Sequence, residues 1–257
     1  WVGDDEVDKL LRHGGPWLPD HPERTLIAQR YLKHQQSLTR EALARLTAQE
    51  SPDDPDAHEV AHAREEGSLE KPLRLDDVRR EAVVAALKAS GARRVLDLGC
   101  GEGKLLRSLL AERGFDRVVG VDVSHRALEV AAERLNLQRL PPRARDRVEL
   151  LHGSLTYRDA RLAGYDAAAL VEVIEHLDPD RVAALERVVF EFARPKTVVL
   201  TTPNAEFNVT FADLPPGRFR HRDHRFEWTR AEFVQWANGV AQRFGYAVTF
   251  APIGAEH

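Results

Sequence analysis

Hydrophobic positions recur along this chain with two periods. Residues 1–50 carry Leu26, Ile27, Tyr31, Leu32, Leu38, Leu43 and Leu46 at roughly helical spacing, after a break between Pro19 and Pro22. Residues 51–70 lose that pattern and turn acidic and proline-bearing, which reads as a linker or long exposed loop. From residue 74 short apolar runs alternate with amphipathic stretches. Helices are predicted over Asp76–Ser90, Lys104–Arg113 with Gly114 at its end, Ser124–Leu135 with Ser124 as N-cap, and Thr229–Phe244 with Thr229 as N-cap. Another starts at Asp178-Pro179 and buries Val182, Leu185, Val189 and Phe192. Strands are predicted over Arg94–Leu98, Arg117–Asp122, Val148–His152, Tyr165–Val173, Thr197–Thr201 and Tyr246–Phe250. Strands that alternate with helices predict an α/β fold around a mostly parallel sheet. Such sheets hold ligands at the carboxyl ends of their strands, where Asp97, Asp122, Ser154, Glu172 and Thr202 fall.

Composition narrows the classes. With 43% hydrophobic and 30% charged residues the chain reads as soluble and globular, and no apolar run approaches the roughly 20 residues of a membrane span. A single cysteine excludes an internal disulfide framework and fits a reducing, cytoplasmic setting. A net charge of −4 does not advertise nucleic acid, although a local basic patch still can. The absence of methionine, even at position 1, reads as a piece of a longer protein.

Two constellations carry chemistry. Asp97-x-Gly99-x-Gly101-x-Gly103 follows a strand and opens a helix, and Asp122 ends the next strand 19 residues after Gly103. Glycines let the backbone turn tightly against a ligand, and an acid at a strand end can accept from both hydroxyls of a ribose. The third-glycine spacing of the dinucleotide fingerprint is not met, and the acid before the first glycine suits a cofactor that carries an amino group. The pattern resembles the first motif of Rossmann-like S-adenosylmethionine-dependent methyltransferases; the other reading is a glycine-rich turn of a different nucleotide-binding protein. Cys100 reads as a small buried filler. The second constellation is Glu172-x-x-Glu175-His176, with His221 and His224 about fifty residues on. If the turn is helical, Glu172, Glu175 and His176 converge. Carboxylates with imidazoles suit Mn²⁺ or Mg²⁺, and solvated charge at a strand end is the alternative.

Val171-Glu-Val-Ile-Glu-His-Leu-Asp178, Thr201-Thr-Pro-Asn-Ala-Glu-Phe-Asn208 and Asp223-His-Arg-Phe-Glu-Trp-Thr-Arg230 together resemble the HEN-type small-RNA 3′-terminal nucleotide 2′-O-methyltransferases, the bacterial branch in particular. The resemblance covers roughly residues 75–254. It implies a methyltransferase domain over 71–257 behind a helical extension and acidic linker over 1–70. It implies Glu172, Glu175, His176 and His224 as metal ligands and catalytic residues. It places Asp97, Gly99, Gly101, Asp122, Val123, Ser154 and Leu155 at S-adenosylmethionine. His221 falls outside the matched core and is expected to be an RNA or structural residue. The implied activity is metal-dependent methylation of the 2′-OH of an RNA 3′ end, in RNA repair beside a kinase-phosphatase-ligase partner. The ligase-associated part is expected upstream of Trp1. The fold implies a final antiparallel strand after the sixth, for which no residues remain before His257, so a missing edge strand is expected. The basic loop with Arg218, Arg220, Arg222, Arg225 and Arg230 is divided between RNA contact and a solvated surface, with Phe226 and Trp228 in the core. A small-molecule O-methyltransferase and a non-catalytic scaffold are the competing functions.

Overall fold

The computed structural model describes residues 75–211, 214 and 217–253; the readings for 1–70 lie outside the described residues. The first described element is α1 (Leu75–Ala89), which buries Arg79, Val83 and Leu87, one side chain per turn. Asp76 and Asp77 sit in its first turn and Lys88 in its last, each matching the helix dipole. Five strands follow: β1 (Arg94–Leu98), β2 (Arg117–Asp122), β3 (Val148–His152), β4 (Ala167–Val171) and β5 (Thr197–Thr201). Between β1 and β2 runs α2 (Lys104–Ala111). Between β2 and β3 run α3 (His125–Arg134) and the single turn α4 (Pro142–Arg145). Between β4 and β5 runs α5 (Pro179–Glu186), and α6 (Arg230–Phe244) comes last.

The strands form one parallel sheet in the order β3-β2-β1-β4-β5. Progress reverses between β1 and β4, and that switch point opens a crevice at the carboxyl ends of the strands. Alternating side chains build a core on each face. Leu96, Leu98, Val119, Val121, Ala168 and Leu170 pack toward α5 and α6. Val95, Val118, Ala167 and Ala169 pack toward α1, α2 and α3 through Val83, Leu87, Leu106, Leu109 and Leu128. Apolar burial on both faces is what makes β4 an uninterrupted hydrophobic run and leaves Asp97 as the one charged residue inside β1. Cys100 is the predicted filler, 7% exposed. Its sulfur would lie 2.9 Å from a Cβ on Gly120, so the strand glycine makes room for it.

Strands one, two, three and five match their expected bounds. The fourth is shorter. Asp166 and Glu172 still make backbone bonds to Arg94, Thr197 and Thr201, but Asp166 turns its carboxylate onto the amides of Arg93 and Arg94 and Glu172 takes φ +53°, so the strand itself runs only from Ala167 to Val171. The helix after β1 ends at Glu112 rather than Gly114, because the Glu112 N–H already closes the last turn on the Leu109 carbonyl. Beyond Glu186 the chain widens into π-helical turns over Arg187–Ala193. That rotation buries Val188 and Phe190 and leaves Phe192 half-buried beneath the Arg158 guanidinium.

The sixth strand is not formed. β5 takes its ladder from β4 alone, and Tyr246–Phe250 has no paired neighbour among the described residues. Its alternating apolar positions pack as single anchors instead. Tyr246 meets Phe190 edge-on at 5.4 Å and donates its hydroxyl to the Pro195 carbonyl at 2.6 Å, while Phe250 meets Phe233 at 6.0 Å. Among the described residues no helix is long and apolar enough to cross a membrane.

Candidate active site

The glycine loop is held by β2. The amides of Gly99 and Cys100 both donate to the Val121 carbonyl, at 2.8 and 3.0 Å, and the Gly101 amide donates to Asp122 Oδ2 at 2.7 Å. Gly99, Gly101 and Gly103 all take positive φ (+78°, +48° and +75°), a region costly for any residue with a Cβ. Asp122 Oδ1 accepts from the Ser124 amide at 2.8 Å, so both carboxylate oxygens brace the turn that carries Val123. Burial raises the Asp122 pKa, and these amides oppose that rise.

Asp97 sits at the base of the loop, 2% exposed. Its Oδ2 is buried and has no hydrogen-bond partner among the described residues. Burial first, and then the Asp122 charge, pushes its pKa up to about 8. A carboxylate left this way is costly unless a donor or cation meets it. The amino group of S-adenosylmethionine is such a partner, and the Asp97–Asp122 pair suits that cofactor at both ends. Val123 is 56% exposed beside the loop, and Leu155 is buried with 9% exposure. Ser154 spends its hydroxyl on Thr156, at 2.9 Å to Oγ1 and 3.3 Å to the amide, so it shapes its own turn.

The second half of the site starts where β4 stops. Glu172 is one of three non-glycine residues described with φ between +45° and +53°, a strained position at a strand end. Thr201 on β5 restrains it: the Glu172 amide donates to the Thr201 carbonyl at 3.2 Å, and Thr201 Oγ1 donates to Glu172 Oε1 at 2.8 Å. Arg79 of α1 pairs with Glu172 Oε2 at 3.2 Å. A single 3-10 turn follows over Ile174–His176, with Ile174 and Glu175 fully buried. Thr202 Oγ1 donates to Glu175 Oε2 at 3.2 Å, and the Arg225 amide donates to the Glu175 carbonyl at 2.7 Å. That last bond ties the 3-10 turn to the histidine loop.

Three imidazoles then meet. His176, His221 and His224 bring one ring nitrogen each within 4.8 Å of the others. His176 lies edge-on to His221 at 5.3 Å and to His224 at 4.8 Å. The Glu172 and Glu175 carboxylates are not members of that tight group. The three rings are not equivalent. His224 Nδ1 contacts Glu227 Oε1 at 2.6 Å; a carboxylate can only accept, so Nδ1 carries the proton and the lone pair lies on Nε2. His221 Nδ1 accepts from the Asp223 amide at 3.1 Å, so its proton lies on Nε2, the opposite tautomer to His224. His176 shows one side to solvent, yet its crowded setting, and then His224 and His221, push its pKa down to about 3. A neutral His176 is what metal binding by an imidazole requires.

Glu227 organises the loop from beneath. It accepts from the Arg220 amide at 2.7 Å and from Asn208 Nδ2 at 2.5 Å besides His224. Burial raises its pKa, but these partners together hold it below the usual carboxylate value. Arg220 is 5% exposed, bonded to Asn208 Oδ1 and the Asn204 carbonyl, with its guanidinium 4.8 Å above the Phe211 ring. It is a core residue, whereas Arg218, Arg222, Arg225 and Arg230 are exposed. Phe226 and Trp228 stack at 4.5 Å and pack on the core as expected. Sequence reading passed over Glu227, Thr201 and Arg79. The i, i+3 spacing from His224 could have revealed Glu227; nothing in the sequence points to Arg79.

The donor set fits a divalent cation. The ligand-distance group among the described residues is the three imidazoles; Glu175 precedes His176 in the chain and its carbonyl is tied to the 220s loop through Arg225, while the one thiol is buried in the core. Imidazole nitrogen favours Mn²⁺ over Mg²⁺, which prefers oxygen alone.

Residues 96–199 match the model of a methyltransferase domain, and residues 1–47 match a region of Hen1 described as RNA repair, ligase-Pnkp-associating. That second match corrects the expectation that the ligase-associated part lies upstream of Trp1. Its helical pattern carries no chemical motif by which it could be read. A crystal structure of the methyltransferase domain of bacterial CtHen1-CN is 51% identical, covering 70% of this chain and 91% of that one, with a TM-score of 0.65. The crystal structure of small RNA methyltransferase HEN1 is 34% identical over 70% of this chain and 24% of that one, with a TM-score of 0.64. Among curated relatives, the small RNA 2′-O-methyltransferase of Rattus norvegicus is 42% identical over 174 residues, 64% of this chain and 43% of the relative. The Arabidopsis thaliana protein of the same description is 33% identical over 207 residues, 75% of this chain and 22% of the relative. The chain thus spans less than half the length of these two curated relatives.

Proposed function

Because this chain belongs to the Hen1 methyltransferase family, we propose that it moves the methyl group of S-adenosylmethionine to the 2′-OH of the 3′-terminal ribose of RNA. Glu172, Glu175, His176 and His224 would hold one divalent cation, Mn²⁺ in preference to Mg²⁺. When bound, the ion lowers the pKa of a coordinated hydroxyl and favours a substrate that offers a vicinal diol, which in RNA only the 3′ end has. The observation that carries the reading is the packing of Gly99, in the cofactor loop, against Val173, in the turn that holds Glu172 and Glu175.

The chain's own residues supply the rest. Asp97 and Asp122 grip the cofactor's amino and ribose ends. Thr201 and Thr202 orient the two glutamates, and Glu227 fixes the tautomer of His224. As the bond between the 2′-oxygen and methyl forms, the methyl–sulfur bond breaks and leaves S-adenosylhomocysteine; the hydroxyl proton passes to whichever of His176 and His224 keeps its lone pair off the ion. Alignment of the two reactants inside one crevice contributes by removing the entropy of encounter. The match of residues 1–47 supports a place in RNA repair beside a kinase-phosphatase-ligase.

The test is methyl transfer to a single-stranded RNA that ends in a 2′,3′-diol, against one ending in 2′-deoxy or 3′-phosphate, each with and without Mn²⁺. Transfer should require both the diol and the ion. Equal transfer to all three ends, or full activity in chelator, overturns the proposal.

A further inference from the structure

Outside the histidine cluster lies a second pair of imidazoles, on the rim of the glycine loop. His152 ends β3 and His125 begins α3; their rings stack at 4.1 Å with an interplanar angle of 18°. His152 stands opposite Asp122 in the β2–β3 register, and the next amide, Gly153, donates to the Asp122 carbonyl at 2.9 Å. His152 Nε2 lies 2.9 Å from the Val123 carbonyl. A carbonyl only accepts, so the proton must be on Nε2, which makes this bond a side-chain strut between the end of β3 and the turn after β2. The strut is fixed from behind as well, because Arg161 donates to the His152 carbonyl at 3.2 Å and is itself held by Asp159.

We propose that His152 is a positioning residue for the cofactor site, with His125 stacked on it to keep its ring in place. This rests on the reading that Asp122 and Val123 meet S-adenosylmethionine. The turn from Asp122 to Ser124 is braced at its carboxylate by Gly101 and Ser124, but its one exposed residue, Val123, has a carbonyl that backbone pairing in the sheet does not reach. His152 supplies that bond. Without it the segment beside the ribose-binding acid can rotate, and ordering it again on binding weakens the complex.

The experiment measures S-adenosylhomocysteine affinity by titration calorimetry, without RNA or metal, for the full chain and for His152→Phe, His152→Gln and His125→Leu. Phe keeps a ring to stack on His125 but cannot donate. Gln places an amide nitrogen where Nε2 was. Loss of one hydrogen bond should weaken binding roughly three- to tenfold in His152→Phe. His152→Gln should recover most of it, and His125→Leu should fall between. Imidazole ¹⁵N shifts of the cofactor-free protein at mildly alkaline pH should give the Nε2–H tautomer for His152, and this needs no variant to fold. A His152→Phe protein that binds like the parent, or an Nδ1–H tautomer, overturns the inference and leaves the proposed function standing. A parent chain that fails to bind S-adenosylhomocysteine at all overturns the cofactor reading and this inference with it.

Discussion

A Cβ added to Gly99 would lie 2.6 Å from Cγ2 of Val173 and 3.1 Å from its Cγ1. Gly99 opens the cofactor loop, and Val173 stands between the two glutamates of the second constellation. The missing side chain therefore lets the two halves of the crevice touch, and any substituent there separates them.

Gly99→Ala should lower both stability and cofactor affinity. The residue has φ +78° as well as the contact with Val173, and each cost is of order 1–2 kcal/mol. The double variant Gly99→Ala/Val173→Ala should recover only the contact part, a non-additivity that a denaturation cycle measures. Full recovery would mean that backbone strain contributes nothing.

Glu227→Gln should weaken Mn²⁺ binding by about 10- to 100-fold without touching a ligand, because the amide no longer enforces the Nδ1–H tautomer of His224. Metal titration followed by electron paramagnetic resonance reads this directly. Affinity equal to the parent's would detach Glu227 from the metal site.

His221 and His176 should separate in the same assay. His221 spends its Nδ1 lone pair on the Asp223 amide, so His221→Asn should cost less than about tenfold in Mn²⁺ affinity, whereas His176→Asn should cost well over that. The reverse order would make His221 the ligand.

Asp97 gives the cofactor-free protein a pH signature. Its folded pKa of about 8 lies above the ordinary value of 3.8, so between these limits the folded state holds a proton that the unfolded chain has lost. Stability should therefore fall as pH rises from about 4 to about 8, and be unaffected by this group below the lower limit. Asp97→Asn should be more stable than the parent at pH 8 by roughly 2 kcal/mol, and should bind S-adenosylhomocysteine far more weakly. Melting curves across pH with and without ligand check both.

The arginines of the 218–230 segment should divide by burial. Arg220→Ala should cost about 2–4 kcal/mol of stability, since it strips partners from Asn208, the Asn204 carbonyl and the Phe211 ring. Arg218→Ala and Arg222→Ala should spare the melting temperature and reduce the salt slope of RNA binding by about one each. RNA affinity independent of salt would remove the basic loop from the substrate path.

Much of this chain could be read from local pattern. Ser124 and Thr229 are N-caps because a hydroxyl there meets an orphan amide; Ser124 accepts from Ala127, and Thr229 forms a full capping box with Glu232. Four strand spans followed from apolar runs that stop at glycine, proline or charge, and the glycine loop was legible because its spacing is a backbone requirement. Tyr246–Phe250 misled for a physical reason: alternation satisfies a strand, but a ladder needs a neighbour, and the pattern does not say whether one is there.

Local composition along the chain thus settled the parallel α/β plan, the cofactor loop and the residue types at the ends of β4 and β5. It could not settle how those types divide their work. That His221 and His224 carry opposite tautomers, that Arg220 is core and Arg222 surface, and that Arg79 reaches Glu172 across 93 positions all depend on which polar atoms meet once the helices dock. Helix and strand periods are set by near neighbours in the chain, whereas tautomers, buried ion pairs and close approaches are set by neighbours in space.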